Sequence, residues 1–189
     1  MVTVTRTPGP GAAKLKTILA GLKNAETKVG VIDAVKYEDG TPVAYVAAVQ
    51  EFGVPRRSIP PRPVFRPTIA EKSDVWRAKM DQLARKLEQG TSTTEAMELI
   101  GMLAAGDIRK KYSSITSPPL SLVTLRLRKL KREGVKVTGK LVGAVHRAMN
   151  TVGPKREGSD SSDISGVSTK PLVFDGILLG SITSETKAT

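Results

Sequence analysis

Five prolines within fourteen residues constrain this chain more than any other feature of it. Residues 54–67 read VPRRSIPPRPVFRP, with Pro55, Pro60, Pro61, Pro63 and Pro67 interleaved with Arg56, Arg57, Arg62 and Arg66. Each proline fixes φ and removes a backbone donor, so the segment can be neither a helix interior nor a central strand. What remains is a stiff extended segment at the edge of a sheet, with the guanidinium groups facing outward. Such an edge resists indiscriminate pairing but can be completed by a neighbouring subunit. The residues before it read as a helix over 42–52. Thr41 can cap it, Pro42 sits at its first position, Tyr45, Ala48, Val49 and Phe52 form a buried stripe, and Gly53 supplies a left-handed stop.

Elsewhere the periodicity is mostly helical. Leu15, Ile18, Leu19 and Leu22 fall on one face of a helix over 11–24, and TKVGVID at 27–33 is a β-branched run suited to a strand, closed by an Asp-Gly turn signal. Ile69, Ser73, Trp76, Met80, Leu83 and Leu87 step by three and four, which predicts a helix over 67–88. STTE at 92–95 is a capping box, opening a second long helix to about residue 114 that carries Ala96, Leu99, Ile100, Leu103, Ile108 and Tyr112. Ser121 can cap a short basic helix, and GKLVGAVHRAM at 139–149 is a weaker one because of Gly139 and Gly143. Residues 151–168 are rich in Gly, Ser and Asp and read as a mobile loop; residues 171–176 look like a turn entering a short helix.

Composition excludes several classes of chemistry. With no cysteine there is no disulfide, thiolate metal site or cysteine nucleophile. His146 is the single histidine, so a histidine metal cluster is impossible, and its expected role is that of an ordinary surface or packing residue. Glu51 stands two residues before Gly53 and Asp175 directly before Gly176, where a cap or a structural ion pair explains them. No glycine-rich phosphate loop is present. The expectation is no catalytic residue, no cofactor and no metal. The sequence has no run of 18 apolar residues and no apolar leader, so a soluble, cytoplasmically made protein with no membrane partner is expected.

Charge points to partners instead. The formal net charge is +12, and residues 122–156 hold Arg126, Arg128, Lys129, Lys131, Arg132, Lys136, Lys140, Arg147, Lys155 and Arg156 against the single acid Glu133. This excess suits a polyanion or an acidic protein surface. Lacking stacking aromatics or a base-reading motif, it would touch phosphates and not sequence. A basic, non-sequence-specific DNA-binding protein is therefore one functional expectation.

The order of several short motifs supplies the other. KVGVIDAVKYEDGTPVAYVAAVQEFG, then IPPRPVFRPTIAE, a helix carrying Trp76, a long helix, SPPLSLVTLRLRK and finally KPLVFDGILLGSI resemble the neck or tail-completion proteins of tailed bacteriophages, over residues 28–133 and 170–182. The resemblance implies an α+β fold, with a small antiparallel or mixed sheet packed against several helices. It also implies a structural virion protein at the head-tail junction, assembled in the host cytoplasm and without enzymatic activity. The core would be residues 1–133 with 169–189, and residues 134–168 an inserted basic arm and flexible loop. The seven residues after Ile182 leave room for a short C-terminal strand.

The implied partners are further copies of the chain, in a ring of six or twelve, head connector or adaptor proteins, and tail terminator or tail tube proteins. Arg56, Arg57, Ile59, Arg62, Phe65 and Arg66 are the candidates for the subunit interface. Arg126, Arg128, Lys129, Lys131, Arg132, Lys136, Lys140 and Arg147 are the candidates for packaged DNA in the channel or for an acidic partner.

Overall fold

A computed structural model describes residues 9–23, 25–150, 167–171 and 176–188. The chain divides into two units, residues 1–112 with 177–189 and residues 113–176. In order, the elements are α1 (Pro10–Lys23), β1 (Ala25–Val31), α2 (Val43–Phe52), a 3₁₀ turn (Pro55–Arg57), α3 (Phe65–Glu88), α4 (Thr93–Ser114), α5 (Leu122–Arg132), α6 (Gly139–Asn150), α7 (Ile177–Gly180) and β2 (Ile182–Ala188). The fold is α+β, with a small two-stranded antiparallel sheet packed against several helices.

The first unit is built on a helical hairpin. The turn between α3 and α4 ends where the Ser92 hydroxyl accepts the Glu95 N–H at 3.0 Å, as the capping box predicts. Along the hairpin Phe65 meets Tyr112 edge to face, Lys111 reaches Glu71 at 2.7 Å, and the Trp76 indole donates to Asp107 at 2.8 Å. At its far end Leu83, Leu87 and Ala96 form a buried cluster, on which Ile18 of α1 and Ile100 pack. Of the stripe expected on α1, Leu15 and Leu19 are instead about half exposed.

The sheet lies on α4 where a glycine makes room. A Cβ at Gly101 would stand 2.7 Å from Thr27 and 2.8 Å from Ser184. Thr27 uses the approach, donating to the Met97 carbonyl and pairing with the Thr186 hydroxyl at 2.9 Å. Arg109 of α4 donates to the Ile182 carbonyl, fixing the start of β2.

Several expectations about the Pro/Arg region and the helix before it are corrected. The buried face of α2 is Val43, Ala47 and Glu51, while Tyr45, Ala48 and Phe52 are exposed. The helix is apolar almost all round, so periodicity could not choose the face, and a buried carboxylate tips it the other way. Thr41 is not the cap; Pro42 occupies that position, and the Thr41 N–H is taken by Asp39 at 2.9 Å.

The proline segment itself is no sheet edge. It makes a 3₁₀ turn closed by a Val54–Ile59 bridge and then runs back along the end of α2, where the Arg62 N–H donates to the Gln50 carbonyl at 2.7 Å. Gly53, at φ 70°, permits this return, because a Cβ there would lie 2.7 Å from the Pro61 nitrogen. Helix α3 begins at Phe65, before the expected residue 67. Pro67 is tolerated because first-turn donors have no partner inside the helix.

In the second unit α5 packs against α6. Ser121 caps α5 as expected, accepting the Thr124 N–H at 3.2 Å, and Leu125 is buried. Most of the expected mobile loop at 151–168 lies outside the described residues, as does the middle of the expected turn at 171–176.

Candidate functional site

Glu51 is the polar centre of the first unit. It is 5% exposed, and its carboxylate faces the first turn of α3. The N–H groups of Val64 and Phe65 donate to Oε2 at 2.6 and 3.0 Å, and the Arg66 N–H donates to Oε1 at 3.2 Å. These are donors that a helix start leaves without intrahelical partners, and the positive end of the helix dipole favours an anion there. Burial raises the pKa of Glu51, but the three backbone bonds and the Arg66 side chain outweigh it and hold the carboxyl below its ordinary value. The cap or ion pair expected of Glu51 is what the fold uses.

Arg66 closes the same site from outside. Its Nε donates to Oε1 of Glu51 at 3.1 Å, its Nη2 reaches the Glu51 carbonyl, and its guanidinium lies 5.0 Å from the Phe52 ring centre. The side chain is 64% exposed, so its upper face still meets solvent. The other interface candidates separate by environment. Arg56 and Arg57 are exposed, Ile59 and Phe65 are half-buried, and Arg62 is 5% exposed, so it turns inward where an outward guanidinium was expected. Burial lowers the pKa of Arg62 from its ordinary value.

Beside this lock a cleft of about 430 Å³ runs between β1 and α2. Val29, Val31, Ala44, Ala48, Phe52 and Arg66 are among its walls. Tyr112 lies under Phe65 with its hydroxyl buried and without a hydrogen-bond partner among the described residues. Burial first, then the charge of Glu51 and the neighbouring Tyr37, push its phenol far above the ordinary 10.0. A smaller apolar pocket of about 180 Å³ lies between α3 and α4 beside Leu83 and Ala96.

In the second unit the basic candidates are not equivalent. Arg128 is a structural clamp: Nη1 donates to the Ser168 and Lys170 carbonyls at 2.8 and 2.9 Å, and Nη2 to that of Pro171 at 2.9 Å. Lys129 approaches Glu133 at 4.0 Å one helical turn on, and both Arg126 and Lys129 are half-buried. Lys131, Arg132, Lys136, Lys140 and Arg147 are exposed, and His146 is exposed on α6. Asp175 lies outside the described residues.

Sequence reasoning missed Gly101 and Gly30. Gly30, at φ 154° in β1, faces Phe65 across a space that a side chain would occupy. Neither carries a signal without knowing which helix meets the sheet. Among the described residues no group of three acidic or histidine side chains could hold a metal, and no helix is long and apolar enough to cross a membrane. Comparison with protein-family models, curated proteins and solved structures finds no match to this chain.

Proposed function

We propose that this chain is a structural virion protein of a tailed phage, a neck or tail-completion protein that forms a ring and helps join the tail to the DNA-filled head. The motif order in the sequence suggests the role, and the Glu51 lock is the observation that supports it in the fold. That lock sets the path of the Pro/Arg segment and the start of α3 before any partner arrives, so docking orders little extra backbone. Tyr45, Ala48 and Phe52 are left exposed on α2, and Arg56 and Arg57 are exposed on the 3₁₀ turn that follows it. An apolar patch with a cationic rim suits a protein interface.

In this reading the ring contains six or twelve copies and has no enzymatic activity. It meets the head connector or adaptor on one side and the tail terminator or tube on the other. Arg56, Arg57 and Arg66 act at subunit contacts, and Lys131, Arg132, Lys136, Lys140 and Arg147 face packaged DNA or an acidic partner. The test is genetic and compositional. Mass spectrometry should find the chain in purified particles, and deleting its gene should accumulate filled heads and separate tails; particles that lack the chain yet remain joined would refute the role.

The exposed lysines and arginines of the second unit favour one other reading, a non-sequence-specific DNA-binding protein. It requires binding to duplex DNA whose affinity falls steeply with salt, in the absence of any particle.

A further inference from the structure

The two strands have seven residues each and pair over their whole length, and among the described residues no third strand meets either of them. Each therefore has an outer edge whose alternate N–H and C=O groups point away from its partner. The charges on the strands restrict what can use those edges. In the register of the sheet Glu26 stands opposite Lys187 and Lys28 opposite Glu185, and all four side chains are 43% to 65% exposed.

We infer that the outer edge of β1 pairs antiparallel with the outer edge of β2 from a second copy of this chain. Alternate residues of a strand direct their backbone groups to opposite sides. The register found inside one chain can thus be repeated between chains, with hydrogen-bonded and non-bonded positions exchanged. Glu26 then meets Lys187 of the next copy, and Lys28 meets its Glu185. The two-fold alternatives that keep all seven residues of a strand paired are disfavoured. Pairing two β1 edges about their midpoint sets Lys28 against Lys28, and pairing two β2 edges sets Glu185 against Glu185, like charges directly opposite each other. The cleft along Val29, Val31 and Ile32 gives the incoming strand a place beside α2. Such a contact is heterologous, so each copy keeps one edge for the next, and repetition gives a closed ring or a filament. It goes beyond the neck role and belongs to the isolated chain, so its test uses no particle and its failure would leave the particle experiment to decide that role.

The chain has no cysteine, so introduced thiols report without background. Full-length Lys28→Cys and Glu185→Cys chains, carrying different tags and co-expressed, are treated with a short bis-maleimide after circular dichroism confirms that both are folded. The expected result is a covalent dimer containing both tags, at least about tenfold more abundant than dimers from either variant alone, the ratio set by about 1.4 kcal/mol. Equal cross-linking of Lys28→Cys with itself would overturn the inference in favour of two-fold pairing. The absence of any cross-link would overturn it in favour of an edge used by a different protein or by none. Sedimentation supplies the second measurement. Lys28→Glu should weaken self-association and Lys28→Glu/Glu185→Lys should restore it, and association unchanged by the single reversal would equally overturn the pairing.

Discussion

Replacing Glu51 by alanine tests the construction of the first unit most sharply. The change removes the acceptor from three backbone donors, of which the Val64 N–H belongs to a residue with no exposed surface. A lost helix cap costs about 1 kcal/mol, and a buried donor left without a partner about 1–3 kcal/mol. Water can reach the Arg66 end, so the sum falls short of three full penalties, and a loss of about 3 kcal/mol is expected. With a urea slope of about 2 kcal/mol/M, the midpoint should fall by about 1.5 M. Trp76 is the single tryptophan and lies on α3, so its fluorescence reports on this unit.

The pH dependence carries its own sign. A carboxyl held below its ordinary 4.5 in the folded state stabilises fully above that value and loses the contribution as pH falls through the folded pKa. The stability gap between the parent and Glu51→Gln should stay constant from about pH 7 to 5, narrow below about 4.5 and close at lower pH. A Glu51→Ala variant within about 0.5 kcal/mol of the parent, or a gap that widens on acidification, would refute the reasoning.

Three further changes probe other contacts. Gly101→Val should cost about 2 kcal/mol in urea unfolding by driving a side chain into Thr27 and Ser184, whereas Gly106→Ala, with nothing within 4 Å of a new Cβ, should be neutral or stabilising by about 0.5 kcal/mol. Tyr112→Phe should unfold no more easily than the parent, because the hydroxyl it removes is buried without a partner among the described residues. The two proteins should also give the same phenolate absorbance at pH 11, since this phenol is held far above its ordinary range. Arg128→Ala should destabilise the second unit by about 1–2 kcal/mol, followed by hydrogen exchange at α5, and leave the salt slope of any DNA binding unchanged. Lys136→Ala should lower that slope by about one if the lysine meets phosphate.

Which parts of this fold could be read from sequence depends on whether the signal was local. The hairpin could be, because Ser92 and Glu95 are three residues apart and the apolar steps in α3 and α4 are strictly helical. The strand at Val29 and the cap at Ser121 were legible for the same reason. The face of α2 was not. Its burial is decided by a carboxylate that serves a helix starting fourteen residues later, and hydrophobicity counts Glu51 as a solvent residue. Arg62 was misread likewise: guanidinium groups are assumed to face water, yet its backbone is tied to Gln50 and its side chain goes inward with it. Among the basic candidates, charge alone could not separate Arg128, which is committed to three carbonyls, from Lys136 and Lys140, which are exposed.

The decisive measurement for the proposed role is cryo-electron microscopy of the intact particle, with the chain located by fitting its first unit into density. A ring of this chain between the head connector and the tail tube, with exposed lysines of the second unit toward the channel, is the expected result. Density for a joined head and tail in which this chain occupies no position at the junction would contradict the role.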